Sequence, residues 1–281
     1  MSLAEPDPWF RDATLLSSAH YTPAREWDNA AFSAAPVQLS IVVPVRNEAE
    51  NVLPLLAEIH AALEGKEAKL GEFEVVYVDD GSSDATRERL AEAMQQYPRL
   101  RVFSHRESCG QSAALMTGMC AARGEWIATL DGDGQNDPAD IPKLLAARDS
   151  SGRPALQLVS GFRKKRQDSW LKRIASRIAN GVRARLLGDA TPDTGCGLKL
   201  IQRAACLELP YFDHMHRFLP ALVQRNGGAT ISVEVNHRPR TRGTSNYGVF
   251  DRLWVGIVDL CGVLWLKRRA NRPAASEMLR P

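Results

Sequence analysis

The strongest constraint on this chain is a series of apolar runs alternating with helical patterns. "LSIVVPV" (39–45), "FEVVYVDD" (73–80), "RVFSH" (101–105) and "EWIATLD" (125–131) each read as a strand. A continuous apolar run is the signature of a strand covered on both faces. After the first, Val52, Leu55, Leu56, Ile59 and Leu63 recur at helical spacing, with Asn47 placed to cap that helix. Ser83 or Asp84 is placed to cap a helix running to about Tyr97, and a small-residue helix follows Gly110. Asp137 and Pro138 stand at N-cap and N1 of a further helix, where a missing N–H costs nothing. Strand alternating with helix specifies an α/β protein with an open, mostly parallel sheet.

In such sheets ligands bind beyond the carboxyl ends of the strands. Asp79 and Asp80 end the second run, and Asp131 and Asp133 follow the fourth, so acids converge on one edge from two separate places. "LDGDGQNDP" (130–138) packs Asp131, Asp133 and Asp137 into seven residues. Carboxylate oxygens prefer hard cations such as Mg²⁺ or Mn²⁺, and a cation here would bridge to a diphosphate and neutralise a leaving nucleotide. Gly132 and Gly134 allow close backbone approach. The competing reading, a turn plus a helix cap, suits Asp137. In "VDDGSSDAT" (78–86), Asp80 is assigned to contact with a base or ribose and Asp84 to capping.

The 281 residues are 44% hydrophobic with a net charge of +3, enough for a sizeable core and too little charge to imply nucleic-acid binding. Five scattered cysteines without a C-x-x-C pair fit a reducing compartment. "MSLAEPDPWF" lacks the apolar run of a secretion signal. Three regions follow: a loosely structured arm (1–37), an α/β domain (38–248) and a tail (249–281). Within the domain, "LQLVSGF" (156–162) is a fifth strand, 164–188 a very basic helical region, and "LKLIQR" (198–203) and "ATISVEVNHR" (229–238) further strands.

"VVPVRNEAENV", "VVYVDDGSSDAT", "GQSAALMTGMCAARGEWIATLDGDGQNDP" and "DTGCGLKL" occur in the order and spacing of glycosyltransferase family 2. The chain most resembles its polyprenyl-phosphate branch, the dolichol-phosphate mannose synthase-like enzymes, over roughly residues 38 to 250. The resemblance implies a GT-A fold, a Rossmann-like sheet holding a nucleotide-sugar. It implies that Pro44, Arg46, Asn47 and Glu48 touch the nucleotide and that Val78 and Asp80 meet base and ribose. Asp131, Asp133 and Gln135 match its D-x-D-x-Q metal and diphosphate triad, and Arg163 its basic residue after the fifth strand. Arg173, Ser176 and Asn180 match the helix that meets the acceptor phosphate. Arg240, with Gly243 and Ser245, matches a segment near the diphosphate, where Asn246 replaces the usual Lys and Arg242 is a candidate to compensate.

The expected reaction is an inverting sugar transfer from a nucleotide-diphospho-sugar to a polyprenyl phosphate, with Mg²⁺ or Mn²⁺. Asp133, Arg173 and Asp193 are the catalytic candidates. A hydroxyl acceptor needs a base, for which Asp193 and Asp213 are available, whereas a phosphate is already anionic. The alternatives are therefore a hydroxyl-acceptor transferase and a nucleotide-sugar-binding module without turnover. His214 and His216 read as packing or surface residues. In 249–269, Trp254, Ile257, Val258, Cys261, Leu264 and Trp265 share one helical face, with Asp251, Val255, Asp259 and Gly262 opposite and Lys267, Arg268 and Arg269 following. That pattern predicts an interfacial amphipathic helix rather than a span, with peripheral attachment to the cytoplasmic face of a membrane. Packing on its own domain or on a second copy in a homo-oligomer is the alternative.

Overall fold

The computed structural model describes residues 36–65, 72–163, 181, 183–189, 191–239 and 249–271. Residues 1–35 of the arm therefore lie outside the described residues, Val37 already belonging to the first strand, as do most of the basic helical region and the Arg240 segment. Seven strands form one sheet in the order β3-β2-β1-β4-β6-β5-β7. They are β1 (Val37–Val45), β2 (Glu72–Asp79), β3 (Leu100–Ser104), β4 (Trp126–Thr129), β5 (Leu156–Arg163), β6 (Lys199–Gln202) and β7 (Ala229–Val235). The helices are α1 (Ala49–Leu63), α2 (Thr86–Gln96), α3 (Gln111–Ala121), α4 (Ile141–Ser150), α5 (Arg203–Leu207), α6 (Leu219–Arg225) and α7 (Val249–Arg268).

β1 pairs in parallel with β2 and β4, and β2 with β3. The apolar runs are buried on both faces as their composition requires: Ile41, Val43, Val75 and Tyr77 have no exposed surface. Val52, Leu55, Leu56, Ile59 and Leu63 of α1 are buried together with them. On the other side α3 sits very close to β1. A methyl group at Gly118 would lie 2.4 Å from Val42 Cγ1, so the small residues of that helix set the distance between layers.

β6 runs antiparallel to both β4 and β5. This reversal matters for function. Lys199, the first residue of β6, lies opposite Thr129, the last of β4, so the chain entering β6 is delivered to the edge where the parallel strands end.

Two caps differ from the sequence expectation. Asn47 does not cap α1. Its φ is +55°, the N-cap position belongs to Glu48, and the Asn47 carboxamide oxygen instead accepts from Ser83 N at 2.8 Å. The N–H groups entering α1 are met by the facing loop: Ser82 Oγ accepts from Asn47 N, Thr86 Oγ1 from Glu48 N and Asp84 Oδ2 from Ala49 N. A contact 35 residues away thus does what a local cap would do. Asp84 also accepts from Thr86 N at 3.0 Å, so it serves α2 as expected, although the N-cap position falls on Ala85. Asp137 caps as expected, accepting from Ala139 N at 3.0 Å ahead of the 3₁₀ turn Pro138–Asp140 that leads into α4.

Candidate active site

The carboxyl ends of β1, β2 and β4 and the loop entering β6 meet at one edge of the sheet. A cavity of about 670 Å³ opens there. Pro44, Gln111, Asp131, Gly197 and Lys199 line it on the sheet side, and Asp213, His216, Arg217 and Val255 close it from the later part of the chain.

Asp131 is the centre of this arrangement. Its N–H is held by Asn136 Oδ1 at 3.0 Å, and its Oδ1 accepts from Gln111 Nε2 at 2.9 Å. Its carboxylate lies directly over Gly197, where a β-carbon would fall 2.1 Å from Asp131 Oδ2. The second glycine of "DTGCGLKL" is therefore a spatial requirement of the acid. Burial, and then the charge of Asp133, push the Asp131 carboxyl up to about 6, against the pull of Lys199, Arg163 and the Gln111 bond. Asp133 follows on the adjoining turn, its Oδ1 accepting from Gln135 N at 3.1 Å. Gly134 completes that turn at φ +72°, a conformation that glycine adopts without steric cost. The Gln135 carbonyl accepts from Arg238 N at 3.0 Å.

The second acidic site, expected to contact base or ribose, is engaged by its own chain. Asp80 is buried, and donors of its own chain take both its oxygens. Cys109 N (2.8 Å) and His105 Nδ1 (2.8 Å) meet Oδ1, while Ser108 Oγ (2.7 Å) and Gly110 N (2.9 Å) meet Oδ2. Asp80 thereby shapes the 105–110 loop that leads into α3 and presents Gln111, instead of standing open to a ribose. Asp80, His105 and Cys109 bring three ligand-type atoms within 4.8 Å, but these same bonds, and that of His105 Nε2 with Thr117, already occupy the carboxylate and the imidazole. Val78 is also turned inward. It has no exposed surface, packs towards Gly118 and does not line this cavity. Pro44 lines the cavity, whereas Arg46 is exposed and Asn47 and Glu48 are tied into the loops entering α1 and α2.

Burial opposes ionisation of Asp80, but the bonds from Cys109, His105, Ser108 and Gly110 outweigh it and hold the carboxyl below its ordinary value. A depressed carboxyl contributes stability that is present above its unfolded value, near pH about 4, and is lost as the pH falls through the lower folded value. Asp80→Asn places a donor among these N–H groups and is expected to cost about 2 kcal/mol at neutral pH. Urea unfolding at neutral pH and below about pH 4 tests this: the gap between wild type and variant should narrow on the acid side.

Arg163 and Asp193 form a bidentate pair. Arg163 Nε lies 2.6 Å from Oδ2 and a terminal nitrogen 3.0 Å from Oδ1. Both side chains are largely buried, 13% and 8% exposed. Asp193 is thus held by a guanidinium, a poor setting for a base that must take up a proton. Asp193→Asn leaves that guanidinium unpaired and is expected to destabilise the fold by about 3 kcal/mol in urea unfolding. Lost transfer at unchanged stability would instead mark Asp193 as a base.

Several lining residues were not among the sequence candidates, although Gln111, Gly197 and Lys199 fall inside the family motifs. Lys199 has a visible signal, a charge inside the apolar run "LKLI". Gln111 and Gly197 sit in motifs that do not announce their contact with Asp131, and only folding brings them to it, as only folding brings Arg217 to the cavity. His216 proves to be a packing residue in the cavity wall, its Nδ1 2.7 Å from Ser112 Oγ. His214 adopts φ +62° and lies between Asp213 (3.6 Å) and Asp259 of α7 (3.3 Å). Arg173, Ser176, Asn180 and Arg240 fall outside the described residues.

Residues 40–209 match the family model described as Glycosyl transferase family 2. Over 247 residues the chain is 37% identical to a dodecaprenyl-phosphate galacturonate synthase of Rhizobium johnstonii, which covers 84% of this chain and 69% of that protein. Over 215 residues it is 36% identical to an undecaprenyl-phosphate 4-deoxy-4-formamido-L-arabinose transferase of Edwardsiella ictaluri, 75% of this chain and 63% of that one. Among solved structures it is similar to a Pyrobaculum calidifontis mannosyltransferase in complex with GDP-Man and Mn²⁺, at TM-score 0.59 and 19% identity over 90% of this chain and 71% of that one. Glucosyl-3-phosphoglycerate synthase from Mycobacterium tuberculosis, in complex with Mn²⁺, UDP and phosphoglyceric acid, gives TM-score 0.60 at 19% identity, over 84% and 80% of the two chains. At that identity the likeness is one of fold, the GT-A arrangement that the motifs imply.

Proposed function

We propose that this chain, which belongs to glycosyltransferase family 2, moves a sugar from a nucleotide-diphospho-sugar to a polyprenyl phosphate with inversion at the anomeric carbon. The observation that carries the reading is Asp131, set over Gly197 at the head of the cavity beside Asp133. Two relatives at 36–37% identity, both named for polyprenyl-phosphate sugars, support the choice of acceptor.

The acid pair fits a divalent cation. Two neighbouring carboxylates, one pushed up to about 6 by burial and by the other, are relieved by positive charge, and their oxygens suit Mg²⁺ or Mn²⁺. Asp131 and Asp133 would hold it, with Gln135 beside them. Bound there, it would supply charge neutralisation to the departing nucleoside diphosphate. The chain's own residues do the rest. Gln111 orients Asp131, and Asn136 fixes its backbone. Asp80 holds the loop that presents Gln111, and Pro44 borders the nucleotide side. A phosphate acceptor attacks as an anion, which agrees with Asp193 being committed to Arg163. Arg173, Ser176 and Asn180 are proposed to meet that phosphate, and Arg240 the diphosphate.

α7 supports attachment at a membrane surface. It turns Val255 to the cavity and Asp259 to His214, and leaves Ile257, Val258 and Trp265 exposed, with Lys267, Arg268 and Arg269 at its end. An exposed apolar stripe ending in basic residues suits a helix lying in the headgroup region of the cytoplasmic leaflet. Among the described residues no helix is long and apolar enough to cross a membrane.

The test is transfer of radiolabel into an organic-extractable lipid by purified protein. It uses polyprenyl phosphate, a panel of labelled nucleotide-sugars and Mg²⁺ or Mn²⁺, with and without EDTA. Metal-dependent label in the lipid is expected. Intact nucleotide-sugar binding with no label in any lipid would overturn the acceptor assignment and turn attention to hydroxyl acceptors, with Asp213 as the base to remove.

A further inference from the structure

Lys199 is 3% exposed, yet it lines the cavity. The register puts it between the end of β4 and the middle of β5, opposite Thr129 and Ser160. Its amine donates to the Cys196 carbonyl, the one hydrogen bond it makes among the described residues. An ammonium has three donors, and a buried charge is costly unless it is paired. The carboxylates that act on it are Asp131, assigned above to the cation, and Asp193, already bonded through both oxygens to Arg163. Burial lowers the Lys199 pKa, and those carboxylates oppose the fall. The neighbouring His216 imidazole is pushed down to about 3 by burial and then by Lys199 and Arg217. Lys199 thus shares this wall of the cavity with Arg217 and keeps donor capacity that the described chain leaves unfilled.

We propose that Lys199 binds an anionic phosphate oxygen of a substrate inside this cavity, an assignment that rests on the transferase reading above. Two phosphates must come together in that reaction, the donor's diphosphate and the acceptor's monophosphate. A cation already in the wall lowers their repulsion where water screens it poorly. The recognition chemistry is the same for both, and the experiment separates them.

Calorimetry on the full chain compares wild type, Lys199→Met and Lys199→Arg with two probes: inorganic pyrophosphate with Mg²⁺, and a short-chain isoprenyl monophosphate. Lys199→Met is expected to weaken one probe by about tenfold or more, the size of one charge-assisted hydrogen bond, with part of the loss restored in Lys199→Arg. Weakened pyrophosphate identifies the donor diphosphate as the ligand, and weakened monophosphate the acceptor. Dissociation constants within about twofold of wild type for both probes would overturn the proposal and leave Lys199 a counter-ion of Asp131. Absence of binding by the wild type would overturn it equally. Lys199→Gln, which keeps a donor for the Cys196 carbonyl without the charge, replaces Lys199→Met if that variant does not fold, with the same outcomes. These measurements need no turnover, so failure here is distinct from failure of the transferase reading, which label transfer decides.

Discussion

Asp133→Asn is expected to lower sugar transfer by about a hundredfold or more, as loss of a group that stabilises charge on the leaving diphosphate does. The fold should not notice. The one hydrogen bond that the Asp133 side chain makes among the described residues is accepted at Oδ1 from Gln135 N at 3.1 Å, and an asparagine oxygen accepts it equally. The thermal midpoint should stay within about 2 °C of wild type. The charge is a different matter. Asp133 is the neighbour whose repulsion helps push Asp131 up to about 6. Without it, Mn²⁺ binding measured directly should weaken along with turnover. Wild-type transfer in Asp133→Asn would sink the assignment of the acid pair.

Gly197→Ala is expected to come close to this in size through sterics alone. The new methyl would begin 2.1 Å from Asp131 Oδ2 and 2.3 Å from Asp131 Cγ. Those atoms end a side chain, so the strand need not move: the carboxylate swings away and gives up its 2.9 Å bond from Gln111. Stability should fall by only about 1–2 kcal/mol, in the range of tolerated overpacking. Transfer should fall by about a hundredfold, because a misplaced group of this kind disturbs the reacting geometry. Rates beside urea unfolding separate the two effects. A variant with normal transfer would mean that the carboxylate position seen over Gly197 is not the working one.

The layered fold was legible because its signal is local. Apolar runs such as "IVVPV" and "VVYV" can be satisfied only when covered on both faces, and their spacing by helical patterns leaves a parallel sheet as the economical solution. The acids at strand ends were legible for the same reason, since a strand's last residue must lie at the sheet's edge. Asp137 as a cap was legible because its partner, Ala139 N, is two residues away. Asn47 was misread as a cap because the groups that meet the N–H groups at the start of α1 come from 35 to 38 residues further on. The bonds to Asp80 were not legible because its four donors lie 25 to 30 residues along the chain, and nothing in "VDDGSSDAT" announces that they fold back onto it.

By itself, then, the sequence determined the layers, the sheet edge at which the cavity opens and the place of the acid pair Asp131 and Asp133 on it. These follow from hydrophobic periodicity and from residue chemistry acting over a few positions. Tertiary structure alone decided which strand runs backwards, and with it the rest of the site. The antiparallel β6 brings Gly197 beneath Asp131 and Lys199 beside Thr129, and α7 brings Val255 to the cavity wall. Those neighbours are set by how buried surfaces pack between distant segments, and no pattern along the chain encodes that packing one residue at a time.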